Sequence, residues 1–310
     1  MMKIFGHKNP DTDTISSAIV MADLQAELGQ AATAYRLGEL NKETTFALNY
    51  FKIEAPELLT SVTDADTVIL VDHNEFGQSV DGIEQATPYM VVDHHRVSGF
   101  NSAEPLFFRV EPVGCTATIL YKIYTENNLT IKPEIAGLMA SAIVSDSLLF
   151  KSPTCTELDK DVCLKLAQIA NIDIEAYGLD MLKAGTDLSD LSVMEMLTVD
   201  AKVFTMNGIS AEIAQINTVD ISDVMTRQAE IEAEIQRVIA EKSLDLYVFV
   251  ITDIMNSNSQ AIVLGKRIDI VEKAFDLTLE NNSAFLPGVV SRKKQIVPPL
   301  EKSNVSFSRS

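Results

Sequence analysis

Along the first half of the chain, short uninterrupted apolar runs alternate with stretches whose apolar residues recur at helical spacing. Residues 67–71 and 89–92 are continuous β-branched and apolar runs, the pattern of strands buried on both faces. Shorter runs at residues 3–5, 33–37 and 106–110 predict further strands, the last at a sheet edge. Ile15, Ile19, Leu24 and Leu28 share one face of a helix predicted over residues 15–28. Further helices are predicted over 43–51, 116–126, 133–145 and 157–169, with Pro133 suited to a first helical turn. Strands and helices in alternation imply a parallel, doubly wound sheet.

The rhythm changes after Gly185, Thr186, Asp187, Ser189 and Asp190, a cluster of turn formers and capping residues. Beyond it, residues 201–206 and 210–217 read as strands joined by the hairpin dipeptide Asn207-Gly208. One long helix is expected over 222–242, carrying Val224, Ile231, Ile235, Val238 and Ile239 on its apolar side. Strands over 246–251 and 261–264 and a helix over 269–275 follow. The expected fold class is therefore α/β. A doubly wound, mainly parallel N-terminal domain spans 1–187, a hinge spans 188–193, and a smaller mixed α/β domain spans 194–310.

Composition narrows the classes. The 310 residues are 46% hydrophobic and 22% charged, ordinary for a water-exposed globular protein with two cores. There is no apolar run long enough to span a bilayer and no signal-peptide core at the start, which gives no expectation of a membrane partner. Cys115, Cys155 and Cys163 suggest neither a disulfide framework nor a thiolate metal site, so a reducing, cytoplasmic setting is expected. A net charge of −19 repels polyanions at long range and argues against nucleic acid as a partner.

The candidate chemistry lies at strand ends. All four histidines fall within the first 95 residues, each just after a predicted strand. His7, Asp11 and Asp13 follow the first strand, Asp72 and His73 another, and Asp93, His94 and His95 a third. Thr12 or Asp13 is expected to cap the first helix. In a parallel sheet, strand C-termini meet on one edge, where such residues converge despite their sequence separation. One Asp after a strand is usually a helix cap; three acid- and imidazole-bearing ends point to metal. Asp146, closing an apolar helix pattern, reads either as a further ligand or as the cap of the next segment. Imidazoles and carboxylates without thiolate suit Mn²⁺, Co²⁺ or Fe²⁺ better than structural zinc, and Mg²⁺ less well. The ligands outnumber one ion's needs, so a two-metal centre with a bridging carboxylate is expected. In the second half, Arg292, Lys293 and Lys294 form a cationic run, expected on an exposed strand or turn, that Lys202 could join in holding a phosphate compound.

Taken in order, Gly6-His7-Lys8-Asn9-Pro10-Asp11-Thr12-Asp13, Val71-Asp72-His73-Asn74-Glu75, Val92-Asp93-His94-His95, Ser145-Asp146 and Ser291-Arg292-Lys293-Lys294-Gln295 resemble five signatures of a known family. They are similar to those of the family II, manganese-dependent inorganic pyrophosphatases, within the DHH phosphoesterase superfamily. The Asp-His-His triplet is shared with RecJ-like nucleases and exopolyphosphatases, whereas the Ser-Arg-Lys-Lys-Gln segment is more discriminating. The resemblance implies one metal on His7, Asp11 and Asp72 and another on Asp13, Asp72, His94 and Asp146, with Asp93 orienting a neighbouring imidazole. It implies that His95, Lys202, Arg292 and Lys293 hold pyrophosphate between a catalytic first domain and a substrate-binding, DHHA2-like second domain. It further implies two Mn²⁺ per subunit, replaceable by Co²⁺, Mg²⁺ arriving with substrate, a cytosolic location and a homodimer formed through the first domain. The expected reaction is hydrolysis of pyrophosphate to two phosphates by a metal-activated hydroxide. An exopolyphosphatase, a small-oligonucleotide phosphodiesterase and a non-catalytic phosphate- or metal-binding protein are the alternatives.

Overall fold

The computed structural model describes residues 1–206 and 208–304. The chain divides into two compact units, residues 1–185 and 186–310. In the first unit the elements are β1 (Met2–Phe5), α1 (Thr12–Glu27), β2 (Ala32–Arg36), α2 (Lys42–Phe51), β3 (Glu57–Leu58), β4 (Thr67–Val71), β5 (Thr87–Asp93), β6 (Phe107–Val110), α3 (Thr116–Glu126), α4 (Pro133–Ser147), α5 (Glu157–Ala170) and α6 (Ile174–Gly185). The six strands are all parallel, in the order β3-β2-β1-β4-β5-β6. From β1 the chain builds outward to β2 and β3, then returns to the other side of β1 with β4. The sheet therefore reverses direction between β1 and β4, where doubly wound sheets bind ligands at their strand C-termini. β5 lies next to β4, so the three strands that end in acids and imidazoles are neighbours.

Alternation sorts the strand residues onto two faces. Phe5, Val68, Leu70 and Val91 join Val62, Val80 and Ile83 from the connecting segments in one core cluster. Ile4, Ile69, Val71 and Val92 are fully buried on the opposite face, where α1 and α3 pack on the strands and α1 packs on α4. β4 is consequently apolar and buried from Val68 to Val71, and the edge strand β6 keeps Phe107 and Phe108 exposed.

The second unit contains α7 (Val193–Thr198), β7 (Ala201–Met206), β8 (Ile209–Thr218), α8 (Ile221–Met225), α9 (Gln228–Lys242), β9 (Leu246–Asp253), β10 (Asn258–Gly265), α10 (Asp269–Phe275), β11 (Ser283–Pro287) and α11 (Val297–Asn304). Its sheet has the order β11-β10-β9-β8-β7 and is mixed, with β8 and β9 parallel and the other pairs antiparallel. Central β9 is buried throughout: Leu246, Val248 and Val250 meet Val271, Ile296 and Leu300, while Tyr247, Phe249 and Ile251 meet Ile231, Ile235 and Val238. Leu188, Leu191 and Val193, within the segment expected as a hinge, pack against this second cluster. Of the expected hairpin dipeptide, Asn207 lies outside the described residues; Gly208 has φ +83° and Met206 pairs with Ile209.

The single helix expected over 222–242 is instead two. Thr226 turns its hydroxyl back onto the Asp223 carbonyl, and Arg227 leaves the helical conformation at φ −98°, ψ 12°. The Arg227 guanidinium donates to the Leu191 carbonyl at 3.0 Å, a tertiary contact with no trace in the apolar spacing. No helix among the described residues is long and apolar enough to cross a membrane.

Candidate metal centre

The site is built at the C-terminal ends of β1, β4 and β5. After β1 the chain turns through Asn9 in the left-handed region, φ 56°, and enters α1. Asp11, rather than Thr12 or Asp13, is the N-cap: its extended backbone lets Oδ1 accept from the Thr14 amide at 2.9 Å. That leaves Asp13 in the first turn, fully buried, with Ser17 Oγ donating to Oδ1 and the Thr116 amide to Oδ2, both at 2.7 Å. Gly6 is required for this approach, because a Cβ there would lie 2.4 Å from Thr14 Cγ2.

Asp72 stands at the centre. It follows β4 in the left-handed region, φ 58°, a conformation that non-glycine residues adopt at a cost and that recurs at functional sites. Thr14 Oγ1 donates to its Oδ2 at 2.6 Å and Thr116 Oγ1 to its Oδ1 at 3.1 Å. The same two oxygens face different imidazoles: Oδ2 is 3.4 Å from His7 Nε2, and Oδ1 is 3.3 Å from His94 Nε2. Asp11 Oδ2 lies 3.5 Å from His7 Nε2, and Asp146 Oδ2 lies 3.9 Å from His94 Nε2. Both histidines direct Nδ1 to a backbone carbonyl, His7 to Lys8 at 2.8 Å and His94 to Val113 at 3.2 Å. Nδ1–H donation to those carbonyls turns each Nε2 inward, the nitrogen that a metal would take once its proton is lost.

His95 is the outer imidazole, half exposed, with Nδ1 2.9 Å from Asp93 Oδ1 and 3.7 Å from Asp72 Oδ1. Asp93 is fully buried and accepts from the His95 amide at 3.0 Å and from Asn74 Nδ2 at 2.5 Å. His73 points into the core, its nitrogens satisfied by the Val71 carbonyl and Ser79 Oγ at 2.9 and 3.0 Å, and takes no part. Ligand atoms of His7, Asp11 and Asp72 lie within 4.8 Å of one another, as do those of Asp72, His94 and His95 and those of Asp13, Cys115 and Asp146. Cys115 is a neighbour that the sequence spacing did not signal. Burial, then the charges of Asp13 and Asp146, push its pKa well up.

The electrostatics of the cluster call for cations. Burial opposes protonation of His7, yet the hydrogen bonds and charges of Asp11 and Asp72 raise it to about 11. Burial likewise opposes His94, and Asp72 and Asp13 raise it to about 9. Asp72 is held far below the carboxylate range against its burial by His7 and His94. Asp13 is pushed up to about 7 by burial and the Asp72 charge, and Asp146 is pushed well above the ordinary range by burial and then by Asp13 and Asp72. Asp146 Oδ2 is buried with no hydrogen-bond partner, and Asp146 lies inside the last turn of α4 while Thr156 caps the next helix. An orphaned buried oxygen beside two inward-facing imidazole nitrogens and three further carboxylates suits divalent cations, which would displace the imidazole protons.

The second unit treats its cations unequally. Of the exposed strand or turn expected here, residues 292–296 form a turn, π-helical, and Lys293 and Lys294 are exposed while Arg292 is buried. Arg292 Nη2 donates to Asp200 Oδ1 at 2.7 Å, and Nη1 donates to the carbonyls of Asp200 and Ile213. Gln295 Oε1 accepts from the amides of Val290 and Ser291 at 3.0 and 3.1 Å, pinning the turn. Lys202 is exposed on β7, two residues beyond Asp200.

Fold and site together define a two-domain protein of the DHH class. Residues 2–143 match the N-terminal domain of the DHH family and residues 179–303 match the DHHA2 domain. The chain belongs to the family of manganese-dependent inorganic pyrophosphatases. It is 59% identical over 298 residues to the Bacillus subtilis protein of that name, covering 96% of each chain. A Bacillus pumilus protein called a probable manganese-dependent inorganic pyrophosphatase is 60% identical over 298 residues, 96% of this chain and 97% of the relative. A Methanococcus jannaschii crystal structure, described as a candidate family II inorganic pyrophosphatase, superposes with a TM-score of 0.63 at 42% identity, covering 98% of this chain and 99% of that one.

Proposed function

We propose that the chain hydrolyses inorganic pyrophosphate to two phosphates by direct attack of water on phosphorus, with no covalent intermediate on the protein. The observation that carries this reading is Asp72, whose two oxygens address His7 and His94 separately and so suit a carboxylate shared by two cations. The family relationship supports pyrophosphate as substrate and manganese as the metal.

His7, Asp11 and Asp72 would hold one ion, and Asp13, Asp72, His94 and Asp146 the other; Co²⁺ would substitute, and Mg²⁺ would enter with the substrate. When bound, such a pair supplies a nucleophile at neutral pH and offsets charge on the phosphoryl oxygens. Thr14 and Thr116 fix the Asp72 carboxylate so that both of its oxygens stay aimed. Asp93 holds His95 at Nδ1, and that hydrogen bond raises the imidazole's pKa against its partial burial. His95 is thereby kept as an N–H donor toward an anionic substrate. Lys202, Arg292 and Lys293 are assigned to pyrophosphate. Arg292 has five N–H groups, of which three are engaged by Asp200 and Ile213, leaving Nε and one Nη2 hydrogen for phosphate oxygens.

The protein acts as a homodimer through its first unit: β6 is an edge strand with an unpaired backbone flank and exposed Phe107 and Phe108, features that favour self-association. It works in the cytoplasm, consistent with three free cysteines. A phosphate-release assay tests the reading on pyrophosphate, tripolyphosphate and a dinucleotide, each with Mn²⁺ or Mg²⁺. Pyrophosphate with Mn²⁺ should be the fastest combination, and a preference for either of the other substrates would reject it.

A further inference from the structure

We propose that Asp159 is a positioning residue of the metal centre, acting through residues 113–118 without itself touching an ion. The inference rests on the metal-centre reading above and extends it to a carboxylate two contacts away from the ligands.

Asp159 is the third residue of α5, where it forms a reciprocal cap with Thr156. Its Oδ2 accepts from the Thr156 amide and hydroxyl at 2.8 and 2.6 Å, and its own amide donates to Thr156 Oγ1 at 3.2 Å. Such a cap belongs at a helix surface and needs nothing more. The equivalent pair in α7, Ser192 and Glu195, is exposed. Asp159 is fully buried, and capping accounts for only part of its bonding. Oδ2 also accepts from the Gly114 amide at 2.8 Å, and Oδ1 accepts from Thr118 Oγ1 at 2.6 Å. The N-termini of α3 and α5 thus converge on one carboxylate, which their dipoles favour.

Gly114 and Thr118 flank Thr116, and Gly114 adjoins Val113; Thr116 and Val113 hold the ligands. The Thr116 amide donates to Asp13, Thr116 Oγ1 donates to Asp72, and the Val113 carbonyl takes His94 Nδ1. Three ligands from three strand ends are therefore fixed by one short segment, and Asp159 ties that segment at both ends. Gly114 allows the close approach, since a Cβ there would lie 2.8 Å from Asp159 Oδ2 and 3.1 Å from the Thr154 carbonyl.

Asp159→Asn keeps the size but turns an NH₂ group toward groups that themselves donate, so the segment loses part of its anchorage. Groups bonded directly to ligands, as Thr116 and Val113 are, commonly set metal affinity by about 10- to 100-fold; for Asp159, one contact further out, a drop at the lower end, about 10-fold, is expected in Mn²⁺ affinity. Metal-stripped protein is titrated with MnCl₂ at 25 °C while free Mn²⁺ is read by electron paramagnetic resonance. Leu166→Ala, a fully buried apolar truncation in the same helix, is the control: it should lower thermal stability and leave affinity unchanged. Excess Mn²⁺ should restore turnover to Asp159→Asn. Should that variant fail to fold, Thr118→Val removes only the Oδ1 contact and must still weaken Mn²⁺ binding. Wild-type affinity in whichever of these variants folds, or an equal loss in Leu166→Ala, would overturn the inference. Wild-type protein that bound no Mn²⁺ would instead sink the metal reading, and the inference with it.

Discussion

Loading the site with Mn²⁺ should release at least about two protons per chain at pH 8, one from each ligating imidazole and a further share from Asp146, which burial and its acidic neighbours push well above the ordinary carboxylate range. His7 is raised to about 11 and His94 to about 9, so at pH 8 the first is almost wholly protonated and the second about nine-tenths so. Each must surrender its Nε2 proton to ligate. The combined binding constant for the two ions should therefore rise at least about 100-fold per pH unit near neutrality, where Asp13 and Asp146 also lose protons on loading, and less steeply once His94 has titrated. The fold itself responds in the opposite sense. Imidazoles whose pKa is raised stabilise the metal-free protein fully below about 6.5, and that contribution is lost as pH rises through about 9 and then about 11. Asp72, held low, contributes stability above the ordinary carboxylate range, which is lost as pH falls below it. Stabilisation by Mn²⁺ should accordingly grow from pH 7 to pH 9. Calorimetric titration in buffers of different ionisation enthalpy counts the protons directly. Release of less than about half a proton would show that His7 and His94 are neutral before loading, and that Asp11, Asp13 and Asp72 do not hold them as cations.

Asp72→Asn should weaken Mn²⁺ binding by more than about 100-fold and abolish most turnover, because one amide cannot replace two anionic oxygens. Two tightly held ions and full activity in that variant would remove its shared role. Arg292→Ala should impair kcat/KM for pyrophosphate while leaving Mn²⁺ affinity intact, and should cost about 2 kcal/mol of stability through its lost bonds to Asp200. Unchanged kcat and KM would take Arg292 out of substrate binding. Phe107→Glu should shift the chain toward monomer in sedimentation experiments without changing its fold; an unaltered distribution would place self-association elsewhere.

What the sequence revealed follows from which interactions are local. Residues 67–71 announce a buried strand because a β-branched Thr67 leads into four consecutive aliphatic residues, and β4 occupies those same residues. The meeting of His7, Asp72 and His94 was legible because parallel strands place their C-termini on one edge. His73 shows the limit of that reasoning: it follows Asp72 at the same strand end, but the left-handed turn at Asp72 carries it into the core, where Ser79 and the Val71 carbonyl satisfy it. Thr14 and Thr116 carried no signal, since a threonine in a first helical turn is ordinary until Asp72 is seen beside it. The burial of Arg292 was equally hidden, because its partner Asp200 is distant in sequence and the cationic run around it reads as a solvated turn. By contrast, α6 did leave a mark, with Asp173 Oδ1 accepting from the amides of Glu175 and Ala176 at its start.

The pKa pattern explains why so much of the first unit is spent on holding four carboxylates together. A lone buried carboxylate would be expected to take up a proton, yet Asp72 stays ionised because two imidazoles and two hydroxyls converge on it. Asp13 and Asp146 meet less compensation and are driven up by burial and by Asp72 itself. The fold thus maintains one strongly ionised carboxylate flanked by two that resist ionising, an arrangement that favours whichever ligand supplies positive charge at that spot. Divalent cations bring the missing charge and displace the protons, so ion binding and the stability of the sheet edge are linked through the same few side chains. That linkage also gives the threonines and Asp159 their importance. The electrostatic gain depends on where the carboxylates point, and their direction is set by residues that carry no charge to the ion at all.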